Sequence, residues 1–177
     1  MSDPNSALEL LMAMQDGPVI SRDDAREAIL IHDEDLPQVN LPDGSTLQLL
    51  QVDLNQNMWI VRNRFKPGTD VVDTHYHTGP VFAVTQSGEW FYKEYPDKIN
   101  KAGSYLYEPA HSVHTITVAA DAPEDAVVWF AIFGSNVNID EAGDVTSVVD
   151  AKTILKVYRA LCELEGKSAD KVIVMGE

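Results

Sequence analysis

From residue 47 onward the chain is a succession of short β-like runs separated by turns, and this texture limits the available folds more than any other feature. The runs cover residues 47–52, 58–65, 81–85, 89–95, 104–107, 113–118 and 126–133. Short strands repeated at modest spacing predict an all-β barrel or sandwich. Asp43-Gly44 marks the turn that leads into them, and Asp140 to Asp144 reads as another turn. The run 126–133 contains Val127-Val128-Trp129-Phe130-Ala131-Ile132-Phe133, apolar on both faces. Such a strand is expected between the interior and a subunit contact or covering segment, so a homodimer or higher homo-oligomer is predicted.

The two ends have a different period. Ile154, Tyr158, Leu161 and Leu164 form a helical stripe after Asp150, with Gly166 as its stop. Residues 6–14 read as a short helix or peripheral packing segment, and a second helical pattern begins at Ser21, whose hydroxyl can cap, with Asp24 near the positive helix end. No repeat or linker divides the chain. The expected organisation is an N-terminal peripheral segment (1–45), a β-barrel (46–149), and a C-terminal helix and tail (150–177) packed on the same domain.

Composition narrows the partners. Thirteen basic against 28 acidic side chains give a net charge of −15, which repels phosphate backbones and anionic membranes. No nucleic-acid or membrane partner is expected, and no run approaches the length that crosses a bilayer. The N-terminus lacks a basic region followed by an apolar stretch, so no signal peptide is expected. Cys162 is the single cysteine, which excludes an internal disulfide and fits a reducing cytoplasm.

Three of the five histidines have the spacing of a divided metal site. In His75-Tyr76-His77 the period of two along a strand points both imidazoles to the same side. His114 must then arrive from a different strand, which a barrel or sandwich can arrange. Along 89–95, Trp90, Tyr92 and Glu94 share one face, and Phe91, Lys93 and Tyr95 the other.

These residues resemble the two motifs of the cupin superfamily. Gly68, His75, His77 and Gly88 match the first motif, and Gly103, Pro109 and His114 match the second. His111 stands where the second motif usually has Gly, and Val118 replaces its trailing Asn. Val81 and Phe82 occupy the region where the first motif's Glu is expected, which taken strictly leaves a three-histidine site. The segment from Gly88 to Glu94, read with Tyr105-Leu106-Tyr107-Glu108-Pro109 and His114, also resembles the 2,4'-dihydroxyacetophenone dioxygenases and their cupin relatives, from about Met58 to the C-terminal helix. That resemblance implies a single RmlC-like antiparallel barrel or jelly roll. It also implies a glutamate ligand beside three histidines, at the position of Glu94.

Neutral imidazoles with one carboxylate suit Fe(II), Mn(II), Ni(II) or Zn(II), and Fe(II) is favoured where dioxygen chemistry is involved. The expected ligands are therefore His75, His77, His114 and Glu94, the last being otherwise an exposed edge carboxylate. Glu89 abuts a turn and Glu108 precedes a proline, which makes both weaker candidates. His111 lines the entrance, donates to a ligand, or sits exposed on its loop. Trp90, Tyr92 and Trp129 either wall a substrate pocket or fill the core.

The function the resemblance implies is a mononuclear non-heme Fe(II) dioxygenase that cleaves a carbon–carbon bond. Its partners are dioxygen and a small aromatic hydroxyketone, as in 2,4'-dihydroxyacetophenone giving 4-hydroxybenzoate and formate, or a β-diketone. Glu94 or His111 is the expected proton-handling group. A non-catalytic metal-binding cupin that senses a small ligand fits the same residues, as does a metal-assisted isomerase or hydrolase.

Overall fold

The computed structural model describes residues 6, 9, 27–69 and 73–176. The chain forms two compact units that divide after Leu30. In the first, Ser6 and Glu9 are helical; the rest of the predicted helix over 6–14, and the pattern beginning at Ser21, lie outside the described residues.

The second unit carries the sheets. Its strands are β1 (Val39–Asn40), β2 (Thr46–Asp53), β3 (Met58–Phe65), β4 (His75–His77), β5 (Val81–Ser87), β6 (Glu89–Tyr92), β7 (Asn100–Lys101), β8 (Tyr105–Glu108), β9 (Ile116–Thr117), β10 (Ala126–Phe133), β11 (Asn136–Ile139), β12 (Val145–Val149) and β13 (Ile173–Met175). The largest sheet runs β1-β2-β3-β10-β5-β8, with β13 added parallel to β2. Two smaller sheets have the orders β12-β11-β4 and β7-β6-β9. Apart from β13, the ladders are antiparallel. The expected antiparallel, jelly-roll-like architecture with a C-terminal helix is what the chain forms.

Strand β10 is the spine of this arrangement because it pairs along its whole length with β3 and over most of it with β5. Alternation sends Val128, Phe130 and Ile132 into the core, beside Trp59, Val61 and Phe65 of β3 and Val81 and Ala83 of β5. Burying one such side chain contributes about 1.5–3 kcal/mol, so this shared inner face carries much of the fold's stability. The opposite face keeps Val84, Tyr105 and Tyr107 exposed, with Trp129 and Phe82 half-buried.

Helix α1 (Ala151–Leu164) begins where the Asp150 side chain accepts from the Thr153 amide at 2.7 Å, capping an otherwise unpaired donor. It buries Ile154, Leu155, Tyr158 and Cys162, one helical stripe, and packs on β2 and β1. Leu164 stays exposed, and Gly166 takes the left-handed conformation (φ 65°) that ends the helix. Among the described residues no helix is long and apolar enough to cross a membrane.

Candidate metal centre

Strand β4 is three residues long, and its alternation buries His75 and His77 on one side while Tyr76 leaves on the other. His114 reaches them through an isolated antiparallel bridge. The His75 amide donates to the His114 carbonyl at 3.0 Å, and the His114 amide donates back at 2.9 Å. Ring centroids then lie 5.1 Å apart for His75 and His77, 4.6 Å for His75 and His114, and 5.6 Å for His77 and His114. One nitrogen from each ring falls within 4.8 Å of the other two.

Hydrogen bonds orient two of the rings. The Asp73 carbonyl can only accept, so His75 Nδ1 carries the proton it donates at 2.7 Å, and Nε2 is left as a lone pair. The Ser112 backbone engages the His114 ring, whose Nε2 has no partner. Burial disfavours the charged form of all three imidazoles. Burial pushes His77 down to about 2, with His75 and His114 adding to the shift. Burial and then His75 push His114 down to about 3. Burial also lowers His75, against the opposing pull of Asp73 and Glu94.

The carboxylate that meets these rings is Glu108. Its Oε2 lies 3.3 Å from His114 Nε2 and 3.6 Å from His77 Nε2, while its Oε1 accepts a hydrogen bond from the Tyr92 hydroxyl. Burial raises its carboxyl group to about 7, although the Tyr92 bond opposes the shift. Tyr92 is itself pushed upward, by burial first and then by the Glu108 charge, and its ring packs 4.3 Å from that of His114.

The structure does not bring Glu94 to the cluster. Strand β6 ends at Tyr92 and the chain turns, with the Tyr95 amide donating to the Tyr92 carbonyl at 2.8 Å. The period of two that aligned Glu94 with Trp90 and Tyr92 stops there. Glu94 is exposed, and its two oxygens accept from the Thr115 amide at 2.9 Å and the Thr115 hydroxyl at 3.0 Å. It therefore braces the residue after His114. Glu108 was legible by the same rule: in Tyr105-Leu106-Tyr107-Glu108, outward tyrosines put Glu108 inside with Leu106.

His111 is exposed and has φ 66°, the left-handed conformation usually reserved for glycine. Its amide donates to the His77 carbonyl at 2.8 Å, and its ring lies 5.8 Å from that of Tyr76, on the side of β4 opposite the two buried histidines.

A cavity of about 710 Å³ opens against His75, His77 and Glu108. Trp59, Val61, Phe65, Phe130 and Ile132 form much of its apolar wall. The expected pocket residues are placed elsewhere. Trp90 is fully buried and donates to Thr85 Oγ1 at 2.9 Å, Tyr92 supports Glu108, and Trp129 faces outward because its neighbours Val128 and Phe130 face in.

The donor set fits a divalent cation. Glu108 Oε2, His114 Nε2 and His77 Nδ1 are buried without a hydrogen-bond partner. Glu108 Oε2 and His114 Nε2 face one another at 3.3 Å with no other partner, a gap that either a proton on the carboxyl group or a bound cation fills. Three imidazole nitrogens with one nearby carboxylate suit a borderline metal.

Fold and site together define a cupin with a buried triad of histidines able to hold a metal. The model of the ChrR cupin-like domain family matches residues 26–135, and the chain belongs to that family. Among solved structures, a protein of unknown function with a cupin-like fold from Ralstonia eutropha JMP134 is 29% identical with a TM-score of 0.76, covering 89% of this chain and 97% of that one. An RmlC-like cupin from the same organism is 26% identical (TM-score 0.73; 80% and 91% covered). An acetylacetone dioxygenase from Acinetobacter johnsonii is 21% identical (TM-score 0.66; 82% and 99% covered) and shares the fold. No curated protein matches the chain.

Proposed function

We propose that this chain is a mononuclear non-heme iron dioxygenase that cleaves a carbon–carbon bond in a small hydroxyketone or β-diketone. The observation that carries the reading is the convergence of three buried imidazoles, two of which, His75 and His77, line a largely apolar cavity. His75, His77 and His114 would hold the ion, and Fe(II) when bound would supply the Lewis acidity for a chelating substrate and the electrons for dioxygen. The remaining work falls to the chain's own groups. Glu108 Oε2 stands beside two of the ligands and accepts the proton that an acidic hydroxyketone or diketone sheds on binding. The Tyr92 hydroxyl fixes that carboxylate through its other oxygen. Trp59, Phe65 and Phe130 exclude water and pack the apolar body of the substrate.

Oxygen uptake by the iron-loaded protein, over a panel of hydroxyketones that includes 2,4'-dihydroxyacetophenone and of β-diketones, tests this reading. Uptake coupled to carboxylate release is expected; no uptake above the metal-free control across the panel contradicts it.

One observation favours a second reading, a metal-binding cupin without turnover. Glu108 Oε2 stands 3.6 Å from His77 Nε2 and 3.3 Å from His114 Nε2, so a small shift of its side chain would add a fourth donor to the three histidines, as structural zinc takes. Tightly held zinc with no exchangeable water would select it. The proposal also includes a homodimer built on the outer face of the large sheet, where Trp129, Phe82, Val84, Tyr105 and Tyr107 leave an apolar, aromatic surface. Light scattering of the purified protein reads the assembly directly.

A further inference from the structure

The cavity has one wall that the proposed chemistry leaves unused. In the sheet β12-β11-β4, Asn138 is directly paired with His75 on one side and with Ser147 on the other, and Asn136 is paired with His77. Directly paired residues project to the same face, so a row His75–Asn138–Ser147 crosses three strands on the cavity side. All of these residues line the cavity. Asn136 Nδ2 donates to Asn138 Oδ1 at 2.7 Å, and Asn138 Nδ2 donates to Ser147 Oγ at 2.7 Å. Each amide is thus locked by the next group, and the Ser147 hydroxyl keeps its own proton to donate while Asn136 Oδ1 remains an acceptor.

We infer that this ladder is a substrate-positioning subsite for a second, uncharged hydroxyl or carbonyl group on the ligand. The inference rests on the histidine centre as the anchor for the ligand's chelating end. Strands lie about 5 Å apart, which places Asn138 about 5 Å and Ser147 about 10 Å to the side of the histidine strand. A ligand chelated at the histidines with its apolar body against Trp59 and Phe130 presents a distal polar group to this ladder. The charge of the lining sets the class of that group. Among the described residues, Asp43, Asp73 and Glu108 line the cavity and no Lys or Arg does, so a distal carboxylate or phosphate is repelled and a neutral hydroxyl is accepted. The ladder therefore selects hydroxylated aryl ketones over plain ones.

Binding to the zinc-loaded protein, which needs no turnover, tests this. The probes are 2-hydroxy-1-phenylethanone and its para-hydroxylated counterpart, measured by titration calorimetry. The wild type is expected to prefer the hydroxylated ketone by roughly fivefold, the worth of one hydrogen bond. Ser147→Ala at the exposed end, and separately Asn138→Leu, should erase that preference and leave the affinity for the plain ketone unchanged. Equal affinities in the wild type, no binding of either ketone, or a preference that survives both substitutions would overturn the assignment. Failure of oxygen uptake with iron, alongside an intact preference with zinc, would remove the dioxygenase reading and leave the subsite standing.

Discussion

Glu94 and Glu108 lie at the ends of two strands that approach the same three histidines, yet only one reaches them. Glu108 is the last residue of β8, still in register with Val81, so the pleat carries it inward with Leu106. Glu94 is two residues past the end of β6, where a turn has already redirected the chain toward Thr115. Side-chain alternation holds only as far as the ladder that enforces it. One carboxylate is buried without a partner for Oε2; the other is exposed and fully paired.

Substitution should separate the two regions sharply. The largest effect is expected at the ligands: His77→Ala abolishes metal retention, read by metal analysis after gel filtration. Glu108→Gln keeps the Tyr92 contact but removes the proton acceptor, and turnover should fall about a hundredfold or more. Glu94→Gln retains an acceptor for Thr115, so its turnover should stay within about fivefold of wild type. Equal losses in the two glutamine variants would erase the distinction between the carboxylates.

The hairpin glycines give a second, smaller contrast. At Gly88 (φ 69°) a Cβ would meet the Asp125 carbonyl oxygen at 2.4 Å, whereas at Gly103 (φ 83°) it would meet nothing within 4 Å. Gly88→Ala is therefore expected to cost about 3 kcal/mol and Gly103→Ala about 1 kcal/mol, read by urea denaturation. His111 inverts this logic. With φ 66° it strains a position suited to glycine, so His111→Gly should be neutral or stabilise by up to about 1 kcal/mol, with metal content unchanged.

Acid sensitivity follows from the buried rings. His77 and His114 fall from their ordinary 6.5 to about 2 and about 3, so below pH 6.5 the unfolded chain binds protons that the folded chain refuses. Metal-free protein should lose stability as the pH falls from 6.5, at up to about 1.4 kcal/mol per pH unit for each ring. Glu108 works in the opposite direction. Raised from 4.5 to about 7, it makes the folded state the better proton binder in that window, so its contribution declines as the pH rises through it. Thermal melts of metal-free wild type and Glu108→Gln between pH 4 and 8 resolve the two trends.

Much of the fold was readable from the chain, because long apolar strands such as β3 and β10 enforce their own period and a capped amphipathic helix declares both its ends. The histidine pair was readable for the same local reason. What escaped depended on partners distant in sequence. Strands β11 and β12 lack a continuous apolar face, since Asn136, Asn138 and the exposed Ser147 line the cavity, so the sequence marks the turn between them but hides their period of two. The cavity wall likewise drew Trp59, Phe65 and Phe130 from two paired strands, while the aromatics of β6 were spent on core packing and on holding Glu108.

The central claim is that three imidazoles hold one divalent ion, and X-ray absorption at the metal edge, paired with metal stoichiometry, measures this most directly. One ion per chain with three histidine nitrogens in its coordination shell, unchanged in Glu94→Gln, is the result the account predicts. An ion bound by fewer than three histidines, or a wild-type chain that retains no ion after loading, would contradict it.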